Sequence, residues 1–334
     1  MMRLFEEATL RKLEQLTLAA GAVRVGAMKG DRRSRKRGAS IEFADYRDYA
    51  QGDDLRRLDW NVFARLERPF IKLTEEEEDL AVHILVDTSA SMDWPSSLLS
   101  GDEGKERPAE NKLRYALQLA GALGYVGLTS GDLVLTTLFD SAGQRTWGPF
   151  RGRSNGWPLI QFLEASYGGF PLPDPLPAGE GARKTALDLS LRHYALRARR
   201  PGLLFLISDL LSPATLSPAP PPPSPPALPP LPRDGLTTLQ SRGYEIALLH
   251  LLSPDEVAPE LSGDLKLVDV ETGETVEVSL DPATIEAYLN GLIAWREAIR
   301  AFCGPRGIHY IDVTTDQAWD ALILHTLRRR GVVR

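Results

Sequence analysis

A single cysteine, Cys303, stands in the 334 residues, which excludes an intrachain disulfide and any zinc site built on several thiolates. Histidine is scarce too. His83, His193, His250, His309 and His325 lie far apart, with no His-x-x-x-His pair and no HExxH helix, so a histidine-based metalloprotease is excluded. No charge of one sign dominates: 39 cations against 45 anions leave −6, and nothing global marks a nucleic-acid binder. Long apolar runs are missing as well. The most apolar stretch, Ala116 to Leu128, carries Gln118 and falls short of the ~20 residues a bilayer span needs. Glu6, Glu7, Arg11 and Glu14 interrupt the first twenty residues, so no signal peptide is read there, and a soluble cytoplasmic protein is expected.

What is present is ordinary for a globular chain, 43% hydrophobic and 25% charged residues, at a length that suggests one large domain with an appendage. Residues 3–20 carry Leu4, Phe5, Leu10, Leu13 and Leu16 near helical spacing. From Lys29 to Arg37 six of nine residues are cationic, read as a solvated loop or, more sharply, as a surface for an acidic or phosphate partner. Nucleic-acid binding would rest on this cluster alone and is not expected.

From Leu80 the pattern changes. Short apolar runs at 81–86, 133–139, 202–208, 244–252 and 308–311 read as buried strands. Segments 111–128, 185–199, 284–303 and 316–330 read as helices. Strands alternating with helices predict an α/β fold, a doubly wound, mostly parallel sheet covered on both faces. Residues 1–79 are expected to form an N-terminal α+β extension packed on this domain of residues 80–330. A hairpin is predicted near 265–278, with Thr272-Gly273 at its tip. Residues 212–232 hold 11 prolines in 21 positions, an extended insertion that serves as a tether or as a PxxP ligand for an SH3-like partner. Gly168 to Gly181 reads as a surface loop.

In an open parallel sheet ligands gather beyond the carboxyl ends of the strands. Two predicted strands end in oxygen-rich clusters: Asp87-Thr-Ser-Ala-Ser91 after the first and Ser208-Asp209 after the third. With Thr185, which opens the helix entering the third strand, Asp87, Ser89, Ser91 and Asp209 make five hard oxygen donors without nitrogen or sulfur. Such a set suits Mg²⁺ or Mn²⁺, Ca²⁺ less well, and argues against zinc or copper. The plainer reading of the first cluster is a helix cap. Elsewhere Asp53, Asp54, Arg56, Arg57, Asp59 and Trp60 crowd into eight residues, either as charge pairs that clamp one segment onto another or as a partner surface.

The pattern Asp87-x-Ser-x-Ser91 with a later threonine and a strand-terminal aspartate resembles the metal-ion-dependent adhesion site of von Willebrand factor A domains. The stretch from Glu42 to Trp60, EFADYRDYAQGDDLRRLDW, with Ala64-Arg65, Glu75 to Glu78 and the Asp87 loop, is similar to the bacterial domain-of-unknown-function family fifty-eight. That resemblance implies a von Willebrand factor A-like fold and a partner among the MoxR-type AAA+ ATPases or their clients. It also implies a non-catalytic protein-docking module whose metal accepts an acidic side chain. One departure is Lys184-Thr185-Ala186, where a Thr-Asp pair is common. The competing expectation is a Mg²⁺-dependent hydrolase or phosphatase using the Asp87/Asp209 pocket. Against it, Ser89 stands where an aspartyl-phosphate enzyme has a second acid, and GxxxxGK[ST] and GxSxG are both absent.

Overall fold

The computed structural model describes residues 4–5, 7–19, 42–50, 58–75, 80–95, 111–140, 143–167, 187–197, 200–211, 229–261, 263–268 and 275–334. The chain divides into two compact units, Met1–Val23 with Leu80–Arg334, and Arg24–Asp79. The expected extension of residues 1–79 is therefore split, with its first 23 residues folding into the larger unit. Burial is the reason: helix α1 (Glu7–Leu13) and the turn after it sink Leu13, Leu16 and Leu18 into the main core. The chain then pairs with the C-terminal residues through a Leu18–Val333 bridge. Of the stretch 3–20 with its apolar residues near helical spacing, Glu7–Leu13 form the helix.

The smaller unit contains β1 (Glu42–Asp48), α2 (Trp60–Leu66) and β2 (Phe70–Glu75), with β1 and β2 antiparallel. Asp59 caps α2 by accepting the Asn61 and Val62 amides at 3.0 and 3.2 Å.

The larger unit is built on six strands: β3 (Ala81–Asp87), β4 (Leu133–Phe139), β5 (Gln144–Phe150), β6 (Leu203–Ser208), β7 (Glu245–Leu252) and, after the hairpin strands β8 (Gly263–Val268) and β9 (Thr275–Leu280), β10 (His309–Thr314). Their order is β10-β7-β6-β3-β4-β5, with only the β4–β5 pair antiparallel. This is the expected mostly parallel α/β sheet, with β8 and β9 pairing by themselves, as the hairpin reading anticipates.

Every residue of β3 and β6 is buried, as strands covered on both faces must be. On one face Val82, Ile84, Val86, Phe205 and Leu249 pack beneath α3 (Lys112–Thr129), α4 (Gly156–Tyr167) and the C-terminal segment, where α9 (Trp319–Ala321) runs into a π-helical stretch, Leu322–Leu327. On the other, Leu85, Leu204, Leu206 and Leu248 meet α5 (Leu187–Arg197), α6 (Arg233–Ser241) and α8 (Pro282–Cys303). Strand β3 continues through α3 to β4 on one side, whereas β6 continues through α6 to β7 on the other. Connections thus diverge between neighbouring β3 and β6, and the carboxyl ends of such a strand pair are where ligands bind in open α/β sheets.

Candidate functional site

Asp87 ends β3 and Asp209 follows β6, so the divergence of the two crossovers brings both carboxylates to one rim. Asp87 is buried. Its Oδ1 accepts the Ser89 amide at 3.0 Å and its Oδ2 accepts the Ser208 hydroxyl at 2.7 Å. Burial, and then the charge of Asp209 beside it, push the Asp87 carboxyl well above the usual carboxylate range. No cation pairs with Asp87 among the described residues.

The loop after β3 is held by Thr88, whose amide and hydroxyl both donate to the Phe139 carbonyl, at 2.8 and 3.1 Å. It then enters a 3₁₀ turn, Ala90–Met92, anchored by the fully buried Met92. This turn sets the Ser89 and Ser91 hydroxyl oxygens 3.1 Å apart. Neighbouring ligands of an octahedral Mg²⁺ at about 2.1 Å are about 3.0 Å apart, so the hydroxyl pair has the spacing of one octahedral edge.

After β6 the chain turns at Leu210, a buried residue in the left-handed region at φ 58°. Its amide donates to the Ser208 hydroxyl oxygen at 2.9 Å, and that hydroxyl in turn donates to Asp87. A side chain with a Cβ is strained there, as backbone at functional sites often is. Asp209 is fully buried: Oδ1 accepts the Leu211 amide at 3.0 Å and Oδ2 takes the Lys112 ammonium at 2.8 Å. Lys112, the first residue of α3, is itself fully buried and also reaches Glu256 Oε1 at 2.6 Å. Burial works against its charge, but Asp209 and Glu256 outweigh it and raise the lysine pKa. Glu256 belongs to the capping box of α7 (Pro254–Val257), where its Oε2 accepts the Ser253 amide at 2.7 Å. The Asp209 carbonyl accepts from His250 Nε2 at 3.0 Å, and His250 Nδ1 faces the Tyr310 hydroxyl at 2.9 Å.

Of the expected ligands, Asp87, Ser89, Ser91 and Asp209 come to this rim, and Thr185 lies outside the described residues. Of the charged cluster, Asp53, Asp54, Arg56 and Arg57 lie outside them too. Asp59 is a helix cap and Trp60 is exposed on α2. The basic run 29–37, the tip at Thr272-Gly273, the Gly168–Gly181 loop and residues 212–228 of the proline tract are likewise outside. Sequence reading missed Lys112, Glu256 and His250. A lone lysine at a helix start and a glutamate in a capping box carry no signal that they turn inward. The Ser-x-x-Glu spacing of Ser253 and Glu256 marks only the cap.

As a metal centre the rim is sparse in carboxylates. Among the described residues no three His, Cys, Asp or Glu side chains gather into a metal-holding group. The fit therefore rests on the uncompensated Asp87 carboxylate and the paired serine hydroxyls, an all-oxygen set suited to Mg²⁺ or Mn²⁺.

The family described as "Protein of unknown function DUF58" matches residues 45–297. Uncharacterized proteins of Mycobacterium bovis and Mycobacterium tuberculosis are each 26% identical over 313 residues, covering 92% of this chain and 86% of the relative. Among solved structures, a conserved hypothetical protein, BatB, from Bacteroides thetaiotaomicron is 13% identical, with TM-score 0.38, over 75% of this chain and 98% of that one. An aerotolerance-related membrane protein from Bacteroides fragilis is 17% identical, with TM-score 0.38, over 76% and 98%. Neither structural likeness is close enough to inform the site. No helix among the described residues is long and apolar enough to cross a membrane.

Proposed function

Since the chain belongs to the DUF58 family of proteins of unknown function, we propose that it is a non-catalytic protein-docking module that works with a divalent cation. The observation that carries the reading is Asp87: a buried carboxylate, beside a second carboxylate and without a cationic partner among the described residues, is an electrostatic deficit that a bound cation would relieve. Asp87, Ser89 and Ser91 would hold Mg²⁺ or Mn²⁺, and Asp209 would support it from behind. Thr185 remains part of the proposed set. When bound, the ion supplies a positive charge that pairs with an acidic side chain of a partner.

The chain's own residues prepare for this. Ser208 and the Ser89 amide fix the Asp87 carboxylate, Thr88 pins its loop, and Met92 anchors the serine turn. The partner suggested by the resemblance to domain-of-unknown-function family fifty-eight is a MoxR-type AAA+ ATPase or its client, and a cytoplasmic setting belongs to the same proposal. Hydrolysis is the less supported alternative. A phosphoryl-transfer site needs a carboxylate or an acid within reach of substrate, whereas Asp209 is fully buried with both oxygens engaged.

Affinity purification on the immobilised full chain tests the proposal. The expected result is a partner retained in millimolar Mg²⁺, released by EDTA and not retained by Asp87→Ala. A partner held equally in EDTA, or Mg²⁺-dependent phosphatase activity that Asp87→Ala abolishes, contradicts it.

A further inference from the structure

Lys112 has no exposed side-chain surface, yet its ammonium lies between Asp209 Oδ2 at 2.8 Å and Glu256 Oε1 at 2.6 Å. Burying an ammonium carries a large desolvation cost, and an apolar side chain of similar length could fill the space without it. The position therefore uses the charge. With all four groups ionised, Asp87, Asp209 and Glu256 contribute −3 and Lys112 contributes +1, so the rim carries −2. A doubly charged ion brings that sum to zero.

The bonding divides the rim into two halves. Asp209 has one oxygen on the Leu211 amide and the other on Lys112. Glu256 has one oxygen on the Ser253 amide and the other on Lys112. Asp87 accepts from neutral donors, the Ser89 amide and the Ser208 hydroxyl, and it shares its loop with the Ser89 and Ser91 hydroxyls, 3.1 Å apart. Lys112 is delivered to this place by local chemistry. Asn111 caps α3 through the Arg114 amide at 2.9 Å, and its side-chain amide ties back to Asp93 at 2.8 Å. The Lys112 amide donates to the Trp94 carbonyl at 2.9 Å. The start of α3 is thus fastened to the segment that follows the serine turn.

We infer that Lys112 is the charge-setting residue of the rim: it holds Asp209 and Glu256 as fixed counter-charges, leaves Asp87 and the serine hydroxyls to face the ion, and matches the site to a divalent rather than a trivalent cation. The inference rests on the metal reading above and adds to it the residue that sets the valence. Glu256 joins the site through Lys112 without touching the ion, and is a positioning residue.

Titrations of the full chain with Mn²⁺ and with Tb³⁺ test this, with binding read by calorimetry and by terbium luminescence. Glu256→Gln keeps the capping geometry but takes the rim to −1. It should weaken Mn²⁺ at least about tenfold, since a unit charge close to a divalent ion has an effect of that order even at an effective dielectric near 20. Lys112→Met takes the rim to −3 and should shift preference toward Tb³⁺ over Mn²⁺ by at least about tenfold. If Lys112→Met does not fold, Glu256→Gln decides alone. Wild type that binds Mn²⁺ with Glu256→Gln binding equally well overturns the role of Lys112 and leaves the metal reading standing. Wild type that binds no Mn²⁺ overturns both.

Discussion

His83 on β3 and His250 on β7 stand in nearly identical surroundings. Each donates from Nε2 to a backbone carbonyl, Arg200 at 2.9 Å for one and Asp209 at 3.0 Å for the other. A carbonyl can only accept, so in both the free nitrogen is Nδ1, and it accepts a phenol, Tyr194 at 2.7 Å and Tyr310 at 2.9 Å. Each ring also meets a second aromatic edge to face, Tyr244 at 5.0 Å and Trp295 at 4.8 Å. The polar atoms of these two aromatics, Tyr244 Oη and Trp295 Nε1, are buried without a hydrogen-bond partner. What differs is the place along the sheet. His83 is level with Leu204, near the start of β6, whereas His250 is level with Ser208, its last residue. One wiring therefore ties down the chain entering a strand, and the other braces the backbone of a candidate site residue. An imidazole–phenol pair is in itself a structural device, and only its position gives it a bearing on function.

The largest expected effect treats the two alike. Burial, against the pull of its backbone hydrogen bond, lowers the pKa of each histidine from 6.5 to about 4. Between those values the unfolded chain takes up protons that the folded chain refuses. The stability is fully present above pH 6.5 and is lost progressively as pH falls to 4, by about 3 kcal/mol per histidine. Urea unfolding of wild type and His83→Leu side by side between pH 7 and 4 measures this: the variant should lose about one proton from the slope, while the raised Asp87 carboxyl, which takes up its proton earlier in the folded chain, acts in the opposite sense in both. The same slope in wild type and His83→Leu contradicts the buried neutral imidazole.

Metal binding should separate the pair. His83→Leu and His250→Leu each remove two hydrogen bonds, one to a backbone carbonyl and one to a buried phenol, and should each cost about 2 kcal/mol or more. Only His250→Leu should weaken Mn²⁺, by about tenfold, as loss of an outer support to a metal site does. Equal Mn²⁺ affinity in the two variants erases the difference drawn here. The smallest effects are expected from Tyr194→Phe and Tyr310→Phe, about 1 kcal/mol each. Each should also raise the acid midpoint of its histidine by freeing Nδ1 to take a proton, which NMR titration reads.

Much of the sheet was legible because β3, β4, β6 and β7 are largely buried and read as short, mostly apolar runs bounded by polar turns. Strand β10 was read short, since Asp312 interrupts it with a charge that the structure pairs to Arg296 and Arg300. Strand β5, GlnArgThrTrpGlyProPhe, went unread: it is a half-exposed edge strand with Gly148 and Pro149 in it, where neither alternation nor an apolar run is required. At the rim, Asp87, Ser89, Ser91 and Asp209 were legible because polar residues ending buried strands stand out. Lys112, Glu256 and His250 were not, because a side chain that turns inward to meet a charge has the same letter as one that turns to solvent.

If the rim beyond β3 and β6 binds a divalent cation, thermal unfolding of the wild type in EDTA and in increasing Mg²⁺ or Mn²⁺ will register it. Stabilisation should grow with concentration and reach about 2.7 kcal/mol at 100 times the dissociation constant. Asp87→Ala should fold and show none of that gain. Wild-type melting that is the same in EDTA and in millimolar Mg²⁺ and Mn²⁺ contradicts the account.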